Sequence, residues 1–273
     1  MMPLPPAEIP AALDWLAAHA QGPVFLESNL RSYGLNGDDP RSLRIWRGVA
    51  GMVGLTNAGV LLPQMPRGDW AAARIALSGQ CVTGVIGAED QVQAARAVLA
   101  LNGPVTLDRG EPAFALHLND LILPDCTGLD LRGITSADLP LLYGWNADYR
   151  VEILGDDPAT AQRLARANID TYAAEQSHRI LWHGDQPVAL TGFNARLPNL
   201  VQIGGVYTPP PLRGCGYARA AVALHLAQAR GQGVSRAFLF AASDMAARAY
   251  TGIGFRPAGR VRLLILAQPH NIP

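Results

Sequence analysis

The chain has no lysine, few charged residues and few cysteines. Its 22 basic residues are all Arg and are balanced by 22 acidic residues, so the formal net charge is zero. A chain without net positive charge is not expected to bind nucleic acid or acidic membranes through non-specific electrostatic attraction. Charged residues make up 16% and hydrophobic residues 49%, which is typical of a folded protein with a large core. Without lysine, the chain also cannot contain a P-loop, whose phosphate contacts require that side chain.

The cysteines, histidines and apolar runs argue against several further classes. Cys81, Cys126 and Cys215 have no C-x-x-C or C-x-H spacing, which predicts reduced thiols and no metal site. His178 and His183 lie five residues apart on one predicted strand, so they face opposite sides and cannot share a metal. No run of 18 apolar residues predicts a membrane span, and the first residues lack the basic region of a signal peptide. We therefore expect a cytoplasmic protein.

The length of 273 residues suits two domains of about 130 to 140 residues each. Residues 124–128 are the best linker candidate, so we predict domains at 1–125 and 129–273. Strands and helices alternate in both halves, which predicts an α/β fold with mixed sheets. In the first half, Val24 to Asn29 is interpreted as a short strand. In the second half, a long helix is predicted from Pro158 to Glu175, followed by three strands.

The most informative segment runs from Val206 to Ala218. A predicted strand enters a Pro-rich turn, after which Arg-Gly-x-Gly-x-Ala opens a helix. The prolines fix the turn, and Gly214 and Gly216 allow positive φ and close approach of a ligand to the backbone. The backbone N–H groups at the start of the helix then point outward, a geometry that binds phosphate or pyrophosphate. Four residues supply them, Gly214, Gly216, Tyr217 and Ala218, and Arg213 adds a positive charge at the rim.

Two other interpretations of this loop are weaker. A Rossmann site requires G-x-G-x-x-G, but Arg219 occupies the last glycine position and the Pro-rich turn does not suit that motif. The position of Cys215 between the two glycines could also be interpreted as that of a nucleophile. We instead interpret it as a permissive position whose N–H, and not its thiol, serves the loop.

Three segments, in the family's order, resemble the GNAT superfamily of N-acetyltransferases. Arg213 to Ala218 matches the acetyl-CoA signature Arg/Gln-x-x-Gly-x-Gly/Ala. Ser243 to Phe255 is similar to the later motif, a short helix carrying Tyr followed by Gly-Phe, although the family usually has Asn where this chain has Ser243. Leu131 to Leu139 resembles the family's first strand and helix. The resemblance covers about 140 residues, and these three segments are its landmarks.

This resemblance implies a fold, a co-substrate and partners. A GNAT domain uses acetyl-CoA without a metal and acetylates a small-molecule or peptide amine by direct attack on the thioester. We expect no nucleic-acid or membrane partner, and either a monomer or a homodimer. The alternatives are a non-catalytic acyl-CoA-binding or regulatory module and an enzyme that transfers a different acyl group.

The resemblance also implies roles for particular residues. In the family the strand before the loop splays from its neighbour and its backbone pairs with the pantetheine arm, a role that falls on Val206, Tyr207 and Thr208. Cofactor contacts are further expected along Arg213, Gly214, Cys215, Gly216, Tyr217 and Ala218, and at Ser243. The family's Tyr near the CoA sulfur corresponds to Tyr250, which is the predicted catalytic residue.

The reaction requires a neutral amine. An alkylammonium has a pKa near 10.4, so presenting it neutral at pH 7 costs about 4 to 5 kcal/mol. A base or a desolvated site must offset this cost. Glu152, Glu175, His178 and a water held by strand carbonyls are all candidates, and the sequence does not choose among them.

The first half of the chain is similar to the second. Val60 to Gly68 matches Val206 to Gly214 at Val, Pro, Arg and Gly, and a later Ala-Ala-Arg-Ala run recurs before Tyr250. We infer a degenerate first copy and a tandem GNAT-like fold, with chance similarity in an Ala-rich chain as the alternative. Trp70 stands where Gly216 would be, and Val98 where Tyr250 would be. The first copy is expected to be inactive, with Trp70 filling the cradle and an open cleft only in the second copy.

Overall fold

The computed structural model of the chain describes residues 1–19 and 22–273. Contacts divide it into two compact units. Unit 1 consists of Met1–Ala113 together with Ala258–Pro273, and unit 2 consists of Phe114–Pro257. No helix of the described residues combines the length and the hydropathy needed to cross a membrane.

Unit 1 contains a mixed sheet in which β1 to β4 are antiparallel neighbours in chain order and β4 runs parallel to β5. The chain's last strand, β12, completes this sheet by pairing antiparallel to β5. The elements are β1 Met2–Pro3, α1 Ile9–His19, α2 Phe25–Tyr33, β2 Leu43–Gly48, β3 Gly51–Thr56, β4 Val60–Gln64, α3 Trp70–Leu77, β5 Cys81–Ala88, α4 Glu89–Val98, the first part of β6 Val105–His117, and β12 Arg256–Asn271 from residue 258 onward.

Unit 2 repeats this arrangement. Its sheet runs antiparallel from β7 through β10, and β10 is parallel to β11. The last residues of β6 lie on the other side of β11. The elements are β7 Leu129–Gly133, α5 Leu139–Tyr149, α6 Pro158–Glu175, β8 His178–His183, β9 Gln186–Arg196, β10 Leu200–Tyr207, α7 Tyr217–Gly231, β11 Arg236–Phe240 and α8 Asp244–Thr251.

The two halves of the chain share one order of elements: a strand, two helices, three strands, a helix, a strand, a helix and a final strand. In each half the fourth and fifth strands are the parallel pair. Trp70 begins α3 just as Tyr217 begins α7, and Val98 ends α4 just as Tyr250 lies in the last turn of α8. The inferred tandem repeat of one α/β fold is therefore confirmed.

The final strand belongs to a different unit from the one the sequence suggested. The predicted domains divide the chain once, between 125 and 129, whereas the contacts divide it after Ala113 and again after Pro257. The reason is long-range pairing, because β12 is hydrogen-bonded to β5 from Val261↔Ala88 to Asn271↔Cys81. A linker composition at residues 124–128 gives no sign of that pairing.

One predicted strand is a helix. Val24 to Asn29 was expected to be extended, but α2 occupies Phe25–Tyr33. Leu26 and Leu30 are buried at i, i+4 spacing, and Arg31 Nε donates to Glu27 Oε1 over 2.9 Å at the same spacing. These two pairs stabilise a helix and would be separated on a strand.

The helices that precede the candidate site begin at clear caps. Asp157 accepts hydrogen bonds from the N–H groups of Ala159 and Thr160, and Pro158 takes the first helical position, so α6 has the predicted bounds. Before α5, Thr135 forms a capping box with Asp138. Apolar side chains of α5 and α6 pack against β8, β9 and β10 of the unit 2 sheet.

Candidate active site

The strand that leads to the glycine loop separates from its parallel neighbour. In the described part of the chain, β10 and β11 pair at Leu200–Gln202 with Arg236–Phe238. Beyond Gln202, β10 continues to Tyr207 without further pairing to β11 among the described residues. The register between β10 and β9 also shifts between Gly204 and Tyr207, which marks a bulge. The last residues of β10 therefore offer backbone groups along an edge that β11 does not cover.

The glycine loop ends at the N-terminus of α7. Gly214 and Gly216 have φ of 83° and 81°, and Gly216 is the N-cap of the helix. A Cβ added at Gly214 would meet nothing within 4 Å, and one at Gly216 would meet only the tip of Arg219 at 3.5 Å. The positive φ requires glycine at both positions, and the surrounding space is open. This loop therefore has the geometry and the room of an anion cradle.

Arg213 does not extend freely over the loop. Its guanidinium forms two hydrogen bonds of 2.7 Å to the carboxylate oxygens of Glu152, and its Nε donates to the Thr208 carbonyl over 2.9 Å. Glu152 lies in a π-helical turn, Arg150–Leu154, that follows α5. This pair was not predicted from the sequence, because 61 positions separate its members and no local pattern joins them.

The three predicted pantetheine-contacting residues differ in exposure. Val206 is partly buried, whereas Tyr207 is buried with its ring 6.2 Å from Trp145. Thr208 Oγ1 is buried and has no hydrogen-bond partner among the described residues. A buried hydroxyl without a partner costs about 1–3 kcal/mol, so a hydrogen bond made to this atom by a ligand would offset that cost.

The loop and the elements around it agree with a known family. The model of the Acetyltransferase (GNAT) family matches residues 140–255. These residues form a GNAT domain. The matched range includes the open edge of β10, the glycine loop and Tyr250.

Solved structures resemble the whole chain. A GCN5-related N-acetyltransferase from Kribbella flavida is 18% identical, with 94% of this chain and 96% of that chain covered and a TM-score of 0.59. A tandem GNAT protein from the clavulanic acid biosynthesis pathway is 15% identical, with 96% of each chain covered and a TM-score of 0.57. A GNAT acetyltransferase from Colwellia psychrerythraea is 13% identical, with coverage of 94% and 93% and a TM-score of 0.55. At this identity the likeness shows the fold, and its coverage extends that fold to the N-terminal half. No curated protein matches the chain.

The remaining loop residues of the GNAT domain lie at its surface or at the helix start. Cys215 is exposed, with Sγ 3.9 Å from the Arg213 carbonyl oxygen. Tyr217 is the first residue of α7, and its hydroxyl lies 2.9 Å from Nδ1 of His183. Ala218 follows in the first turn, so its N–H is among those that α7 leaves without an intrahelical partner.

Ser243 is the cap of α8. Its hydroxyl oxygen accepts a hydrogen bond from the Ala246 N–H over 3.2 Å. Asn caps helices as well as Ser does, so Ser243 performs locally the capping role that Asn performs elsewhere. This contact explains Ser243 as a helix cap and does not by itself indicate a cofactor contact.

Tyr250 is placed in the core cluster that α7 and α8 share with β9 to β11. It is 8% exposed, and its ring packs against Phe255 in an edge-on contact at 6.1 Å between centroids. The sequence placed Tyr250 before a Gly-Phe pair, and Phe255 of that pair is one of the residues in the cluster that encloses the tyrosine ring.

The candidate bases of the GNAT domain differ in charge state. The hydrogen bonds from Arg213 lower the pKa of Glu152, so this carboxylate is ionised and already engaged. Burial lowers the pKa of His178 to about 3, so its imidazole is neutral. Glu175 is exposed at the end of α6. Glu152 is therefore engaged with Arg213 and His178 is enclosed in the core, so neither is free to accept the amine proton.

The matching position in unit 1 differs from expectation. Trp70 packs against the unit 1 core cluster, and a cavity of about 700 Å³ lies beside Arg67 and Gly68. The prediction that Trp70 fills the cradle and that only the second copy has open space is therefore wrong. The Asp69 carboxylate instead caps α3 by accepting from the Ala72 N–H over 2.9 Å. A negative charge at this helix N-terminus disfavours a phosphate there.

Proposed function

We propose that unit 2 is an acetyl-CoA-dependent N-acetyltransferase that acetylates an amine. The observation that carries this proposal is the open loop with its two positive-φ glycines at the N-terminus of α7, directly after a strand that has separated from its neighbour. A helix N-terminus and an uncovered strand edge provide the two kinds of backbone group that a pyrophosphate and an amide-containing arm require.

The residues present fit this co-substrate. The N–H groups of Gly214, Gly216, Tyr217 and Ala218 would hold the pyrophosphate, and the backbone of residues 206–208 would pair with the pantetheine arm. When bound, acetyl-CoA supplies an activated acetyl thioester for attack by the amine. A backbone N–H of the bulged strand would stabilise negative charge on the carbonyl oxygen.

Tyr250 is proposed to donate a hydrogen bond to the departing sulfur. A phenol has a pKa of about 10 and a thiol of about 8.5, so full proton transfer from Tyr250 is uphill by about 2 kcal/mol. A hydrogen bond without transfer avoids this cost. The amine proton is assigned to water held by strand carbonyls, since Glu152 is bound to Arg213 and His178 is neutral and buried.

The acceptor is proposed to be a small-molecule or peptide amine. We place the reaction in the cytoplasm, since Cys81, Cys126 and Cys215 are free thiols. We propose that unit 1 keeps the fold without the activity, since Asp69 occupies the helix N-terminus that a phosphate would need.

The test combines binding and turnover. Isothermal calorimetry measures acetyl-CoA affinity, and a thiol-release assay measures transfer to a panel of amines and hydrolysis without an amine. Saturable binding with amine-dependent thiol release supports the proposal. Binding without turnover on any amine favours a non-catalytic acyl-CoA module. Faster turnover with another acyl-CoA than with acetyl-CoA reassigns the acyl group, and absence of binding rejects the cofactor assignment.

A further inference from the structure

The imidazole of His178 is enclosed at the bulge of β10. The side chain is 1% exposed, and its ring stacks on Tyr172 with centroids 3.5 Å apart and planes 9° apart. On its other sides lie two glycines. A Cβ on Gly192 would collide with the ring, and one on Gly205 would lie 2.7 Å from Nε2. The glycines of β9 and β10 therefore provide the space that this ring fills.

The two ring nitrogens of His178 have different surroundings. Nδ1 lies 3.0 Å from Ser177 Oγ. Nε2 is buried and has no hydrogen-bond partner among the described residues. In a neutral imidazole one nitrogen donates and the other accepts, so Nε2 can make one hydrogen bond in either tautomer. Leaving it unmade costs about 1–3 kcal/mol.

Nε2 lies beside the backbone that the proposed reaction uses. Gly205 has φ of 63° and lies within the register shift between Gly204 and Tyr207. A bulge leaves the backbone groups of its extra residue outside the strand ladder. The next residues are 206–208, which are proposed to receive the pantetheine arm and the thioester carbonyl. The position of this backbone thus depends on what supports the bulge.

We propose that His178 is a positioning residue: its ring packs under the bulge at Gly205 with Nε2 beside the bulged segment, and this support directs residues 206–208 toward the acetyl donor. This inference rests on the proposed function. His178 does not take the amine proton in this role. It acts through the backbone, by fixing the direction of the N–H and C=O groups of residues 206–208. A flexible bulge would orient these groups less accurately, and small misplacements of groups that contact the reacting atoms lower the reaction rate strongly.

His225 provides a matched control. It is also buried, its ring stacks on an aromatic side chain, Phe193, at 3.8 Å, and its Nδ1 lacks a partner among the described residues. It belongs to α7, and it is not among the side chains nearest to either bulge-side glycine. His178→Phe and His225→Phe therefore both remove ring nitrogens from the core while keeping an aromatic ring, but only the first changes support of the bulge.

The first measurement needs no substitution at His178. The NMR signals of the ring nitrogens are recorded on protein with ¹⁵N-labelled histidine. The signals that disappear in the His225→Phe variant belong to His225, which leaves those of the other buried ring, His178, assigned. Addition of acetyl-CoA is expected to shift Nε2 of His178 and to leave the His225 ring of the unsubstituted protein unchanged. If acetyl-CoA binds by calorimetry and the His178 resonances do not move, the inference is overturned while the proposed function stands. If acetyl-CoA does not bind, both are overturned.

The second measurement separates kcat from binding. His178→Phe is expected to lower kcat about tenfold or more, equivalent to about 1.4 kcal/mol, with the acetyl-CoA dissociation constant within about threefold of the original. His225→Phe is expected to leave both within about threefold. Equal losses of kcat in the two variants would assign His178 to general packing and overturn its positioning role.

Discussion

Arg213 and Glu152 form a bidentate ion pair that joins the glycine loop to the turn after α5. The pair is partly exposed, at 32% for the arginine side chain and 42% for the glutamate. Solvent screens such a pair, so it contributes below about 1 kcal/mol to folding. Its effect is instead on the charge beside the loop, since Glu152 neutralises the arginine of the signature.

Glu152→Gln is expected to tighten acetyl-CoA binding several-fold at low salt. The substitution removes one negative charge near an anionic ligand and leaves Arg213 positive. Calorimetry at two salt concentrations checks this, and the gain should shrink at the higher one. Asp185→Asn, in the β8–β9 turn, removes the same charge without touching Arg213 and should change affinity little. Weaker binding in Glu152→Gln would mean that the ion pair shapes the loop for the ligand.

Gly216→Ala and Gly233→Ala test the loop with equal backbone strain. Both glycines have positive φ, and they lie just before and just after α7. Each substitution should cost roughly 1–2 kcal/mol of stability. Only Gly216→Ala should also weaken acetyl-CoA binding, about tenfold or more, because only Gly216 belongs to the cradle. Equal affinities in the two variants would remove the loop from the cofactor site. Gly216→Trp should abolish binding.

Tyr250→Phe is expected to lower kcat about 10- to 100-fold, as loss of one hydrogen bond to developing charge predicts. The ring and its contact with Phe255 are retained, so acetyl-CoA affinity should change little. Steady-state kinetics and calorimetry on the same preparation measure both quantities. A variant with the original kcat on its true acceptor would limit Tyr250 to core packing.

The buried histidines predict acid sensitivity. Burial lowers the pKa of both His178 and His225 to about 3, against about 6.5 in the unfolded chain. Between pH 3 and 6.5 the unfolded state binds more protons than the folded state does. The free energy of unfolding is therefore at its full value above pH 6.5 and decreases as the pH falls toward 3. For each pH unit of acidification in this range, each histidine should reduce the free energy of unfolding by up to about 1.4 kcal/mol. Urea titrations between pH 7 and 5 measure the slope, and His178→Phe should flatten it. An unchanged slope in that variant would contradict a neutral buried His178.

Gly192 and His178 should be energetically coupled. Gly192→Ala forces a methyl group into the imidazole, so it should destabilise the protein by about 1–3 kcal/mol. In a His178→Ala background the ring is gone, and the same substitution should cost much less. Denaturation of the four proteins of this cycle gives the coupling energy. Additive effects would show that the ring does not depend on the glycine.

Local patterns predicted several features well. Asp157 and Pro158 mark the start of α6, and the Arg-Gly-x-Gly-x-Ala spacing places the loop before α7. The repeat was detectable because a Pro followed four residues later by Arg-Gly recurs in both halves, at Pro63 and Pro209. Each of these signals lies within a few residues, where capping, fixed φ and helical spacing act directly.

Other features depended on partners far along the chain. The apolar content of Val24 to Asn29 suits a strand as well as a helix, and only the burial of Leu26 and Leu30 on one face chose the helix. Trp70 was expected to fill the cradle of the first copy, but the side chain had a core cluster to pack against. The presence of a tryptophan at this position does not reveal whether its ring lies in the loop cradle or against the core cluster.

The sequence by itself determined the helix Pro158–Glu175 and the glycine loop and indicated two copies of one fold, because these follow from local conformational preference and from repetition. Tertiary structure decided that β12 pairs with β5, that Glu152 binds Arg213 and that the His178 ring lies against two glycines. Each of these contacts joins segments separated by many residues. Their geometry is set by strand pairing and close packing, which no local pattern in the sequence specifies.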